Sequence, residues 1–185
     1  MPSLYINLEI NAPRAWVWQA LIRKEQWQRW NTFLYDCDPD LPFRQGGEVS
    51  LAICRLEGDE FTDFEPRITR LEPGQCLRWL VQMPGFKSEQ VFELQDLGPN
   101  RTQYIHREQF SGVLAGVFLP FIRQDERQGL LRMARQLKRY TERRVYEDHR
   151  RRRLGRGRSA VDGPPPQYRK QWDRYRGRDV PRGPV

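Results

Sequence analysis

Long apolar runs are missing from this chain of 185 residues. No stretch approaches the ~18 residues that a membrane-spanning helix needs, which argues against an integral membrane protein with helical spans. Cysteine is scarce: Cys37, Cys54 and Cys76 are odd in number and scattered, neither a disulfide framework nor a zinc-ligand spacing. There are only two histidines and no glycine-rich phosphate loop, so the residues for a metal hydrolase, a nucleophilic triad or a nucleotide enzyme are not there. Gly155-Arg156-Gly157 does not qualify, because no strand precedes it. No cofactor and no metal are expected. The start Met-Pro-Ser-Leu-Tyr-Ile has neither a basic nor an apolar leader segment, and with the free-thiol pattern it points to the cytoplasm.

What is present is unevenly distributed. The net charge is +8, yet residues 150–185 hold twelve Arg or Lys against three Asp, or +9. Residues 1–149 therefore hold twenty basic and twenty-one acidic residues, or −1. The last segment also has five Gly, five Pro and almost no aliphatic side chains, too little apolar surface to offset the entropy of ordering. The expected organisation is one domain over residues 1–153 and a basic, unstructured tail over 154–185.

Within the domain the hydrophobic period changes three times. Ser3–Ile10 alternates Leu4, Ile6, Leu8 and Ile10 with polar residues, as a half-buried strand does. Asn11-Ala12-Pro13 supplies a cap and an early proline for a helix over Arg14–Ile22, and a second short helix is expected near Glu25–Trp30. Strand patterns then recur at Glu48–Leu56, Thr62–Leu71, Cys76–Gln82, Ser88–Leu97 and Thr102–Phe110, separated by Gly, Pro and Asn turns. The spacing leaves no room for crossover helices, so neighbours should pair antiparallel. From Phe118 to Arg153 the period is helical, with Pro120 tolerable in the first turn. The predicted fold is α+β: a curved antiparallel sheet of seven strands wrapped on one long terminal helix.

Ala12-Pro13, Val17-Trp18, Trp30-Asn31-Thr32-Phe33, Leu77-Arg78-Trp79, Val91-Phe92-Glu93-Leu94, His106–Gly112, Leu137-Lys138 and Glu142 occur in an order that resembles the START-like, or SRPBCC, superfamily of helix-grip proteins. That superfamily includes polyketide cyclase/dehydrase-like proteins, lipid-transfer START domains and plant pollen-allergen homologues. The likeness covers about residues 3–146, and Thr32 stands where those proteins usually have proline. It implies a cleft between sheet and helix that holds a hydrophobic small molecule or lipid.

Strand parity then assigns the lining. The inward candidates are Val49, Leu51, Ile53, Phe64, Pro66, Ile68, Leu77, Trp79, Val81, Gln90, Phe92, Leu94, Tyr104, His106, Glu108 and Phe110, with Met133 and Leu137 from the helix. Each aliphatic one, taken singly, is explained better as core packing than as ligand contact. His106 and Glu108, two apart on one strand face, are the only ionisable pair that could act as acid and base, the set for a polyketide cyclase/dehydrase-like enzyme. They could also satisfy each other or face outward. A third reading concerns the tail. Arg150, Arg151, Arg152, Arg153, Arg156 and Arg158, then Arg169, Lys170, Trp172, Arg174 and Arg176, mix guanidinium groups with rings. That composition suits single-stranded RNA or an anionic membrane, and equally a solubilising tail.

Overall fold

The computed structural model describes residues 2–153. The chain runs β1 (Ser3–Ile10), α1 (Arg14–Ile22), a 3₁₀ turn (Lys24–Arg29), β2 (Leu34–Asp36), β3 (Leu51–Ile53) and β4 (Thr62–Phe64). It continues through β5 (Arg67–Glu72), β6 (Cys76–Met83), β7 (Phe86–Gly98) and β8 (Arg101–Ser111) into α2 (Ala115–Arg153). From β5 to β8 consecutive strands pair antiparallel across short turns, and β1 closes against the last strand, giving a five-stranded sheet in the order β1-β8-β7-β6-β5. A three-stranded sheet, β2-β3-β4, continues the wall, joined to the β5 edge through residues 46–49. The sheets curve around α2, which is 39 residues and so about 58 Å long. The architecture is the α+β helix-grip fold. Among the described residues no helix is long and apolar enough to cross a membrane.

The sheet differs from the single seven-stranded one expected. The segment Thr62–Leu71 is two strands, because Pro66 has no N–H to give a ladder; its carbonyl accepts from Val49 instead. The helix begins at Ala115 rather than Phe118, so Pro120 lies beyond the first turn. Four residues back is Gly116, with open space beside it, and both positions are exposed. Water can satisfy the carbonyl that proline leaves without a donor. Asn11 is not the cap of α1, which starts from Pro13 without a side-chain cap. The Asn11 N–H donates to Glu142 Oε1 at 2.7 Å, tying the start of α1 to the far part of α2.

The Trp30–Phe33 motif is an anchor. Asn31 Oδ1 accepts the N–H groups of Phe33 (2.9 Å) and Leu34 (3.1 Å), folding the turn into β2. Thr32, the departure from the usual proline, uses the N–H that proline lacks. It donates to Gln136 Oε1 at 3.0 Å, while its hydroxyl accepts from Gln136 Nε2 at 2.8 Å and from Arg132 Nε at 3.1 Å. Arg132 also caps the carbonyls of Thr32, Cys54 and Arg55. Next to this anchor, Gly129 lets the Phe33 ring lie against the helix backbone; a Cβ there would sit 2.2 Å from Phe33 Cε2. The middle of α2 is thus fixed by close packing and polar ties together.

Candidate functional site

The concave face is built by strand alternation as parity predicts. Register aligns Ile68, Trp79, Gln90, Glu108 and Leu4 in one row across the sheet, and Leu77, Phe92, His106 and Ile6 in the next. Leu94 and Tyr104 continue it on one side and Ser88 and Phe110 on the other. All of these are buried, as are Val49, Leu51, Ile53, Pro66, Met133 and Leu137; Phe64 and Val81 are half-buried. The structure therefore gathers most of the inward candidates in one core, while Val81 lies at its margin. Trp79 and Phe92 pack with ring centroids 4.6 Å apart, and Phe92 lies 4.0 Å from the His106 ring. Trp79, Phe92, Tyr104 and His106 have no accessible surface. A guest reaches them only by displacing side chains or the helix above. A concavity of about 370 Å³ lies elsewhere, lined by Gln82–Lys87 and Gly112 at the β6–β7 turn.

A polar cluster interrupts this apolar interface. Tyr104 OH donates to His106 Nδ1 at 3.2 Å, and His106 Nε2 donates to Gln90 Oε1 at 3.3 Å, the tautomer that the partners assign. Gln90 Nε2 (3.2 Å) and Ser88 Oγ (2.6 Å) both donate to Glu108 Oε1. Among the described residues Glu108 Oε2 has no hydrogen-bond partner; the carboxyl close enough to act on Glu108 electrostatically is Glu126 on α2. Glu126 in turn accepts from Arg55 Nε at 2.7 Å, and Arg55 Nη1 reaches the Thr62 hydroxyl at 3.3 Å. The chain of contacts runs from the middle of the sheet, through the helix, to a partly exposed guanidinium.

Charge counting explains the protonation. Two buried carboxyl groups face one guanidinium, so one of them keeps its proton. Burial pushes Glu108 well above the usual carboxylate range, helped by the Glu126 charge and opposed by its hydrogen bonds and Arg55. Burial also raises Glu126, but Arg55 pulls it back. Glu108 is therefore the acid and Glu126 the carboxylate. Burial pushes His106 down to about 3, so it is neutral, and raises the Tyr104 hydroxyl further above its ordinary range. Trp79 Nε1 is buried in the same face without an acceptor.

His106 and Glu108 do not pair with each other as an acid–base couple; Gln90 stands between them. The partner of Glu108 is Glu126, a residue the sequence reading missed. Its signal was there: Glu126 occupies the stripe that continues through Leu130, Met133 and Leu137, a carboxyl in an otherwise apolar series. Ser88 and Arg55 carry no such signal, because only the register and the chain path bring them in. Arg150–Arg153 form the exposed end of α2. Arg156, Arg158, Arg169, Lys170, Trp172, Arg174 and Arg176 lie outside the described residues.

A curved antiparallel wall gripping a C-terminal helix over a mixed apolar and polar interface defines a START-like protein of the SRPBCC superfamily. The chain belongs to the family described as "Activator of Hsp90 ATPase homolog 1-like protein", whose model matches residues 11–142. No curated protein matches it in sequence. Among solved structures it is similar to a protein from Chromobacterium violaceum (16% identity, 77% of this chain and 99% of that one, TM-score 0.60). A START superfamily protein from Mycobacterium smegmatis is similar too (18%, 76% and 97%, TM-score 0.60), as is a protein from Nitrosomonas europaea (18%, 78% and 96%, TM-score 0.60). At these identities the likeness concerns the fold.

Proposed function

We propose that the domain binds a hydrophobic small molecule or lipid between the concave sheet and α2, at the place where the apolar seam is broken. The supporting observation is the composition of that break. Between Leu119 and Gly129 the only buried helix side chain is Glu126, which pairs with Arg55 and interacts with Glu108, the carboxyl that Ser88 and Gln90 bond, rather than with an apolar layer. Trp79 Nε1 beside it lacks an acceptor, and a buried unpaired donor costs about 1–3 kcal/mol that a ligand acceptor would recover. Here sheet and helix are held by polar ties that can exchange partners, so this is where α2 can part from the sheet to admit a guest. Membership in the START-like superfamily supports the same reading. The test is native mass spectrometry of the full chain as purified, with solvent extraction and a Nile red titration. A retained small molecule, or saturable one-to-one dye uptake that weakens in Glu126→Leu, is expected. An apo mass together with no saturable uptake overturns the proposal.

Glu108 also favours a second reading. A carboxyl held protonated at neutral pH is a general acid in waiting, and Glu126 can take the proton back. A cyclase- or dehydratase-type enzyme would then use Glu108 with Glu126, with His106 a neutral spacer. A guest extracted from Glu108→Gln and given to wild type should lose the mass of water if dehydrated, or shift in chromatographic retention at constant mass if cyclised, and should do neither with Glu108→Gln; no change with either removes this reading.

A further inference from the structure

The end of the molecule formed by the β6–β7 turn and the β8–α2 junction carries an exposed apolar surface. Residues 83–86 and 112–122 contain no charged side chain. They are one lobe: Leu114 N–H donates to Gly85 O at 2.9 Å, and Phe86 meets Phe118 edge-on at 6.5 Å. Gly112, at φ +97°, makes the joint possible, since a Cβ there would lie 2.3 Å from Gly85 O. The lobe leaves large apolar groups outside: Val113 (83% exposed), Phe121 (79%), Val117 (56%), Met83 (53%) and Phe118 (48%). Single exposed apolar residues are ordinary, but five on one lobe are an interaction surface.

The charges around it choose the occupant. The first charged residue after each segment is an exposed cation, Lys87 after the turn and Arg123 on the helix, with Arg127 exposed one turn further on. The nearest acids on the helix are withdrawn: Glu126 is buried on Arg55 and Asp125 is half-buried. A protein partner would be met by a polar rim able to make directional hydrogen bonds. An uncharged apolar tip with a cationic collar instead fits a bilayer, with side chains among the acyl chains and cations at the phosphates.

We propose that this lobe docks shallowly on an anionic phospholipid surface, through Val113, Val117, Phe118, Phe121 and Met83 with Lys87 and Arg123 as the collar. The proposal stands apart from the reading of the interior. The experiment is co-sedimentation of the full chain with phosphatidylcholine vesicles, with and without 30% phosphatidylglycerol, as a function of salt. Wild type should partition onto the anionic vesicles. Phe121→Asp and Val117→Asp, at exposed positions, should lower partition at least tenfold without lowering the melting temperature. Lys87→Glu and Arg123→Glu should weaken binding and flatten its salt dependence. Absence of vesicle binding overturns the proposal. So does binding unchanged in Phe121→Asp, which would assign it to the arginine-rich end of the chain. A dimer in solution that Phe121→Asp dissociates would also overturn it, making the lobe an interface between copies.

Discussion

Folding neutralises two groups of opposite sign in one network, and this has a measurable signature. Free in the unfolded chain, His106 titrates near 6.5 and Glu108 near 4.5. Between those values both are charged when unfolded, and both are neutral when buried. The pair therefore binds the same number of protons in either state, and its contribution to stability is flat with pH. Substituting one partner exposes the other. In Glu108→Gln only the histidine remains: the unfolded state binds a proton that the native state refuses, so stability falls as the pH drops below 6.5. With a native value of about 3, linkage gives a loss of about 2 kcal/mol between pH 6.5 and 4.5. In His106→Gln only the acid remains: the native state holds a proton that the unfolded state has released, so stability falls as the pH rises from 4.5. The double variant supplies the baseline, since Glu126, Asp36 and other groups titrate in all of these proteins. The assay is urea unfolding followed by tryptophan fluorescence at pH 4.5, 5.5 and 6.5. A Glu108→Gln curve parallel to the double variant would refute a neutral buried histidine. A His106→Gln curve parallel to it would refute a protonated Glu108.

Other outcomes follow from packing. Gly129→Ala, which on helix propensity alone should stabilise by about 1 kcal/mol, should instead destabilise by about 1–3 kcal/mol, because its methyl overlaps the Phe33 ring; thermal unfolding gives the sign. Arg132→Met should cost about 2–3 kcal/mol, since three carbonyls lose their donor, and Arg132→Lys should recover little of it without the planar fork. Thr32→Pro restores the residue usual in the superfamily yet should lower stability by about 1–2 kcal/mol, through loss of both bonds to Gln136 in denaturant unfolding. The exposed bidentate pair of Arg101 with Glu9 should matter little: Glu9→Gln should leave the midpoint of denaturant unfolding essentially where it is in wild type.

Local pattern carried most of the fold. Alternation in Thr102, Tyr104, His106, Glu108 and Phe110 assigned a face because the side-chain period of a strand is two, and the same rule placed Trp79 and Phe92 correctly. The spacing of Leu130, Met133 and Leu137 likewise marked the helix face that the sheet grips. Sequence alone thus determined the element types, their order, the inward face and the family resemblance, all consequences of short-range periodicity. It could not determine that Gln90 would separate His106 from Glu108, because that depends on which residue of β7 lies opposite which of β8. Nor could it bring Glu126 to Glu108, 18 residues away in sequence but on a different element. Pairing across strands and between sheet and helix decided which buried groups share a proton, since desolvation and like-charge repulsion act through distance in space and not along the chain.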